Sequence, residues 1–429
     1  MFSDKDFSGI IRMPPRESRI MMHKHGMSVW IIASQLCFIV LSCVSVLTDL
    51  RADDVSVYEN SHPEPILLAH YMPWFSARPS DHEWGWHWTM GHFDPEQMKD
   101  ERRSIASRYY PRIGPYDSSD THVLEYHLLL MKLAGIQGVI VDWYGLTDLH
   151  DYPELHHNTT QLLKQCEKLG MTFVICYEDQ TIASLVDAGR LRPTEKVSHA
   201  REEIEWLGQY WFRSPSYGKY NQKPILLSFG HAGLTDNEWS ECLSKLSTSI
   251  SYFSQDYCRV GAQGGFDWPS PQKGLARQRT FILESSQWKT CIPVVFPRFH
   301  DIYEKAQVHE SYGVINDADG KTFCQTLDSA RQVDPAIIQI ATWNDWGEGT
   351  QIEPSMEFGF RDLQVLRDRR YPKPKKSLQM TDKHWQLPET ILSLRRLAGV
   401  DSVAIDKAVS AILAGKLADA CELLDAVVP

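Results

Sequence analysis

The sequence predicts an α/β fold, read as a (β/α)8 TIM barrel with an N-terminal membrane-targeting segment and a small C-terminal helical extension. Three observations predict it. Short apolar runs alternate with helical patterns through the middle of the 429-residue chain, the signature of repeated β/α units. Nearly every run ends in polar or aromatic side chains, which a parallel barrel gathers on one face. The stretch assigned to it, residues 64–372, exceeds the roughly 250 residues a barrel commonly takes. A doubly wound open sheet would also collect functional loops at its strand ends, so the pattern argues for an active face more firmly than for closure.

In chain order the candidate strands are Ile66 to Trp74, Gly138 to Trp143, Thr172 to Tyr177, Pro224 to Phe229, Val260 to Phe266, Ile292 to Phe296 and Ile338 to Trp343. Each is a short apolar run rich in β-branched or aromatic residues. An eighth strand would be irregular. Helical periodicity fills the gaps over Asp120 to Leu133, Thr159 to Leu169, Val197 to Trp211, Asn237 to Tyr252, Gly274 to Trp288 and Lys321 to Val333. The strand ends carry His70-Tyr71-Met72-Pro73-Trp74, Asp142-Trp143-Tyr144, Tyr177-Glu178-Asp179, Phe266-Asp267-Trp268 and Arg298-Phe299-His300-Asp301. No glycine-rich phosphate loop is present.

Residues 1–52 form a separate element. Ser28 to Leu47 runs twenty residues without a formal charge, preceded by Arg12, Arg16, Arg19 and Lys24, which reads as a membrane-targeting segment. A cleaved signal, an uncleaved anchor and a lipoprotein signal around Val40-Leu41-Ser42-Cys43 remain open. All place the catalytic part outside the cytoplasm, secreted, periplasmic or anchored, with membrane contact only if the segment is retained. A polar linker, residues 53–63, follows. At the other end, residues 373–429 open with a basic, proline-containing stretch. They continue as an amphipathic helical extension marked by Leu394, Leu397, Val403, Ile405, Val409, Ile412, Leu413, Leu417, Cys421 and Leu424.

The net charge of −11 argues against a general nucleic-acid binder, which shows a basic stripe. Nine cysteines are widely spaced and form no metal-type cluster; the seven outside the apolar segment suggest one or two disulfides at most. His70, His87, His92 and His300 lack a helical metal-ligand spacing, so neither a metal nor a cofactor is expected. Asn158-Thr159-Thr160 is a glycosylation acceptor in a eukaryotic host.

The chemistry concentrates in Ala341 to Ser355, ATWNDWGEGTQIEPS. Asp345 and Glu348 stand three residues apart among Trp343, Trp346, Gly347 and Gly349, directly after an apolar β-prone run. Cleaving a glycosidic bond takes one carboxyl group to protonate the leaving oxygen and a second to stabilise or create the electrophilic centre. The 14 Trp, 17 Tyr and 16 Phe supply rings that stack on sugar faces, although core packing claims most of them. A D-x-x-E spacing alone would more often be a turn cap beside a solvated acid; the flanking indoles and glycines favour the catalytic reading.

Five blocks in order resemble the glycoside hydrolase family 71/99-like group, above all family 99, the endo-acting α-mannosidases. They are HYMPWF at 70 to 75, GWHW at 85 to 88, RYYPRIGPYDSSD at 108 to 120, GIQGVIVDWYG at 135 to 145 and WNDWGEGTQIEP at 343 to 354. The likeness covers most of residues 65 to 362. It implies a (β/α)8 barrel that cleaves internal α-glycosidic bonds with retention, through attack of the substrate's own 2-hydroxyl and a 1,2-anhydro sugar. Carried onto this chain, Asp345 falls on the base that deprotonates that hydroxyl and Glu348 on the acid/base. Tyr71 and Trp143 fall on aromatic positions lining the sugar site. Position 345 carries Asp where family 99 has Glu, and the W-N-D-W-G-E wording also resembles family 71, the α-1,3-glucanases.

The expected function is therefore a retaining endo-glycosidase acting on α-linked polysaccharide or oligosaccharide. Glu348 and Asp345 are the catalytic candidates. Tyr71, Trp74, Trp143, Glu178, Asp267, Asp301, Trp343 and Trp346 are the substrate-binding candidates. Competing expectations are an α-1,3-glucanase-like hydrolase, a non-catalytic glycan-binding barrel, and a hydrolase using Asp142 or Glu178 as its second carboxylate.

Overall fold

The computed structural model describes residues 64–78, 83–371 and 380–427. The apolar segment Ser28 to Leu47 and the linker lie outside these residues. Among the described residues no helix is long and apolar enough to cross a membrane.

Parallel strands form the centre: β1 (Ile66–Tyr71), β2 (Gly138–Trp143), β3 (Thr172–Glu178), β4 (Lys223–Phe229), β5 (Ser251–Gln255), β6 (Gly264–Phe266), β7 (290–295) and β8 (Ile337–Ile340). β7 is broken at Pro293, which lacks the N–H a ladder requires. Its two pieces count separately in a nine-strand parallel array. Thr290–Ile292 pairs with β6, and Val294–Val295 pairs with β8. β8 pairs in turn with β1. The remaining neighbours follow chain order, giving a nearly closed barrel.

Strand alternation sorts the residues into two cores. Ile66, Leu68, Ile140, Val174, Ile225, Leu227, Phe253, Phe266, Ile292 and Ile337 fill the interior. The intervening positions, including Leu67, Ala69, Val139, Val141, Phe173, Ile175 and Leu226, pack outward against the helices. The first of these, Thr121–Ala134, begins where the Asp120 side chain accepts the His122 N–H and ends at Gly135, whose φ of 83° is the left-handed closing turn.

Helices Gln180–Asp187 and Arg361–Arg370 have no counterpart in the sequence reading, the strand expected over Val260 to Phe266 narrows to Gly264–Phe266, and one element changes type. The helix expected over Asn237 to Tyr252 stops at Ser244, and Ser251–Gln255 forms β5. The Ser/Thr-rich stretch after Lys245 offers the backbone side-chain hydrogen bonds outside a helix, and the alternating S-Y-F-S-Q that follows suits a strand. No helix separates β5 from β6, so this crossover is a short turn.

The C-terminal residues form helices Asp382–Arg395, Ser402–Leu413 and Leu417–Asp425. They pack on Thr121–Ala134, with buried Trp385, Ile391, Ile405 and Ile412 sharing its core. Arg395 bonds to Glu125 at 2.9 Å. The seven described cysteines are all unpaired, so the one or two disulfides allowed by the sequence do not form among them. Asn158 is also not a glycosylation acceptor in this fold: it is buried, and its amide bonds to the Pro73 carbonyl at 2.9 Å.

Candidate active site

The turn after β8 carries the acid pair to the carboxyl-terminal mouth of the barrel, where barrel enzymes place their chemistry. Asp345 is held at both ends: its backbone N–H donates to the Thr342 hydroxyl at 2.8 Å, and its Oδ1 accepts the Glu348 N–H at 2.9 Å. The loop after β7 closes over this turn, with the His300 N–H donating to the Glu348 carbonyl and the Ile302 N–H to that of Gly347. Gly349 makes this approach possible. Its φ is +68°, and a Cβ there would meet the His300 carbonyl oxygen at 2.6 Å.

Burial dominates the electrostatics. Asp345 is 3% exposed, and burial, with nearby Asp142 adding to it, pushes its carboxyl up to about 7. Glu348 is half-buried, with one carboxylate oxygen sealed from solvent and without a hydrogen-bond partner. Burial first, then the charges of Asp345, Asp301 and Asp142, hold its carboxyl well above the ordinary range, against a contact with the Trp268 side chain that lowers it. A carboxylic acid that stays protonated beside another carboxylate is what proton donation to a leaving oxygen requires.

Three inward residues from adjacent strands lie beside the pair. Asp142 and Cys176 are direct cross-strand partners, and His70 Nδ1 lies 3.2 Å from Asp142. The donor atoms of His70, Asp142 and Cys176 fall within 4.8 Å of one another, a spacing that would admit a small cation. The Cys176 thiol bonds to the same carboxylate, while both ring nitrogens of His70 and Oδ1 of Asp142 are buried without a hydrogen-bond partner. Glu178, the next inward position on β3, is buried, and burial and Asp142 hold its carboxyl well above the ordinary range.

The substrate-binding candidates divide by strand parity. Glu178 faces the interior. Trp74 reaches the cleft over Asp345, where it stacks on His87 with ring centres 4.3 Å apart and planes within 5°. Tyr71 and Trp143 point the other way, into the helix layer, and both are fully buried. Tyr71 bonds to His127 at 2.9 Å, and the Trp143 indole donates to His156 at 3.2 Å. They are not sugar platforms in this structure, because adjacent positions on a strand face opposite sides.

Asp267 follows the same logic. Phe266 faces inward, so Asp267 turns to the helix side and pairs with Arg277 at 3.2 Å. Asp301 organises its own loop, accepting from the Tyr303 and Tyr312 N–H groups and the Ser311 hydroxyl. Trp343 and Trp346 are fully buried scaffold beneath the acid pair.

The cleft instead takes its rings from residues that the sequence reading left unassigned. Phe75, Trp86, His87 and Tyr303 line it with Trp74, Asp345 and Gly347. Trp268 packs edge-on against His70 at 4.8 Å. Tyr144 lies near Asp142 and Glu178, whose charges add to the burial that raises its hydroxyl. Parity would have found Trp268 and Tyr144, which are two residues beyond inward Phe266 and Asp142.

No family model matches the chain. In sequence it is 23% identical over 347 residues to a glycoprotein endo-alpha-1,2-mannosidase-like protein from Danio rerio, covering 71% of this chain and 75% of that protein. It is 23% identical over 367 residues to the glycoprotein endo-alpha-1,2-mannosidase of Mus musculus, covering 78% and 77%. In structure it superposes on the GH99 endo-alpha-mannosidase from Bacteroides thetaiotaomicron with a TM-score of 0.53 at 18% identity, covering 71% of this chain and 95% of that one. By sequence and by fold the chain is GH99-like. Its class of chemistry is that of the glycoside hydrolases.

Proposed function

We propose that this GH99-like barrel is a retaining, endo-acting enzyme that cleaves α-glycosidic bonds in an α-mannan-like or related polysaccharide. One observation carries the reading: buried Asp345, which lines an aromatic cleft, and half-buried Glu348, three residues on, stand at the barrel mouth with both carboxyls raised by burial and neighbouring acids. Asp345 takes the proton of the substrate's 2-hydroxyl. The freed oxygen attacks the anomeric carbon as Glu348 protonates the departing glycosidic oxygen. Glu348, now ionised, deprotonates the water that opens the 1,2-anhydro sugar, and Asp345 returns the proton to O2. A single carboxyl thus serves as acid and then base.

The Asp at position 345 is one methylene shorter than Glu, and the Glu348 N–H fixes it close to its own backbone. Catalytic groups tolerate displacements of only a fraction of an ångström, so the sugar ring would sit nearer the turn than with a Glu base. An α-1,3-glucanase-like specificity is the alternative within this chemistry. A second reading gives Asp142 the partner role, because it lies close enough to raise both Asp345 and Glu348. Release of oligosaccharides from a panel of α-mannans and α-glucans tests the proposal. Glu348→Gln and Asp345→Asn should each cut release at least about a hundredfold, while Asp142→Asn should retain most of what they lose. Full activity in the Glu348→Gln protein would sink the assignment, and so would binding without product in the unaltered protein. The location outside the cytoplasm remains part of the proposal, tested by fractionating cells and probing the barrel with protease.

A further inference from the structure

The acid pair is followed by Gln351-Ile352-Glu353-Pro354, and the proposed chemistry gives Glu353 no role. It is 2% exposed, and a carboxyl group buried so deeply needs donors around it. Three converge on it from three parts of the chain. His127 Nε2, on helix Thr121–Ala134, lies at 3.0 Å; the Tyr116 hydroxyl, from the loop before that helix, at 2.7 Å; and the Trp346 indole N–H, between the two catalytic acids, at 3.1 Å. On the other side of Asp345, the Asn344 side chain latches Met72 through both its N–H and its carbonyl, at 2.8 and 3.0 Å, and donates to the same Tyr116 hydroxyl at 3.2 Å. Both residues that flank Asp345 are thus tied to one buried hub.

We propose that Glu353 is a positioning residue for the reaction: by gathering Tyr116, His127 and Trp346 it fixes the turn that presents Asp345 and Glu348. The inference rests on the assignment of those two acids as the catalytic pair. A buried network of this kind acts as a unit, because each unpaired member forfeits its desolvation as well as its bond. The members differ in how they adapt. An indole only donates, whereas a histidine can exchange donor and acceptor nitrogens. Glu353→Gln therefore keeps an oxygen for Trp346 if its amide turns to His127, while Glu353→Ala leaves Trp346 and Tyr116 without the acceptor.

The test measures kcat and KM on an oligosaccharide released by the unaltered enzyme, together with amide hydrogen exchange of residues 343–349, in the full chain well below its unfolding temperature. Glu353→Ala should lower kcat at least tenfold with KM within twofold, and speed exchange of that turn at least tenfold while β1 to β3 stay protected. Glu353→Gln should recover most of both. Val409→Ala, which removes core volume in the C-terminal helices, should leave kcat unchanged. Tyr116→Phe, which deletes one hydroxyl from the hub, should show the same pattern at about fivefold and replaces Glu353→Ala if that protein does not fold. A folded Glu353→Ala or Tyr116→Phe with kcat within twofold of the unaltered enzyme overturns the proposal. So does an equal loss in Val409→Ala, since general destabilisation would then explain the effect. If the unaltered protein cleaves no glycan, the catalytic reading fails; the exchange of residues 343–349 still decides whether Glu353 holds the turn.

Discussion

Asp142→Asn removes one negative charge from beside both catalytic carboxyls, and its effect on the pH profile follows from the site. The rise of Asp345 from 3.8 to about 7 is a penalty of roughly 4 kcal/mol on its ionised form, at about 1.4 kcal/mol per pH unit. Burial is the larger cause and Asp142 the smaller. A neighbouring charge shifts a carboxyl by roughly 1 to 3 pH units, and Asp142, as the lesser cause, is taken at the low end, about 1, or about 1.4 kcal/mol. Asp345 must be ionised to act as a base, so kcat/KM falls as pH drops below about 7. Glu348 must be protonated, so activity falls again as pH rises through its elevated value. The two limbs belong to the interacting pair rather than to either residue. In Asp142→Asn both carboxyls ionise more readily, and the whole bell should move toward acid by about 1 pH unit. The assay is kcat/KM for oligosaccharide release across the pH range, which reports the free enzyme. Loss of a substrate contact alone would lower the bell without moving it. Limbs that stay in place, or move toward alkali, would refute the electrostatic argument.

Glu348→Gln should lower kcat by roughly 10²- to 10⁴-fold, the usual worth of a positioned general acid, with an unaltered circular dichroism spectrum. Asp345→Asn should be inactive yet more stable. The folded-state carboxyl titrates above its unfolded value, so the native state holds a proton that the unfolded chain has released, and ionisation costs stability as pH rises between those values. The gain of the Asn variant over the unaltered protein should be absent below about pH 4, grow to at most roughly 4 kcal/mol by pH 7 and stay constant above, read from urea unfolding at pH 4, 6 and 8. Gly145→Ala should destabilise by roughly 2 kcal/mol or more, because φ is +78° and a Cβ would meet Glu203 Oε1 at 2.2 Å; thermal unfolding reads this. Trp74→Ala removes a ring from the cleft and should raise KM about tenfold, the equivalent of about 1.4 kcal/mol, leaving kcat nearly intact.

Much of the architecture was legible because apolar strand runs and helical periodicity are local signals. Six of the seven expected strands overlap six observed ones closely, and the seventh, Val260 to Phe266, narrows to Gly264–Phe266. β5 escaped because Phe253 falls seven residues after Leu246 and fourteen after Trp239, a helical spacing, and only tertiary pairing distinguishes the two periods. The acid pair was legible in the sequence through its three-residue spacing and the indoles and glycines around it. Its aromatic surroundings were not, because residue type was weighed without strand parity: Trp143 and Tyr71 point outward, whereas Tyr144 and Trp268 point to the site. Trp86 and His87 could not be placed by parity at all. They belong to the short helix Trp86–Thr89, whose approach to Asp345 depends on how a long loop folds back over the barrel. Glu353 stood in plain view in the motif, but its three partners are separated from it by as many as 237 residues.

The central claim, that Asp345 and Glu348 are the working pair of a retaining endo-α-glycosidase, is tested most directly by proton NMR of the first sugar anomer released from an α-mannan by the full chain. The account predicts internal cleavage giving the α-anomer first, with β appearing only by later mutarotation, and no product from Glu348→Gln. Initial release of the β-anomer, or undiminished product from Glu348→Gln, would contradict it.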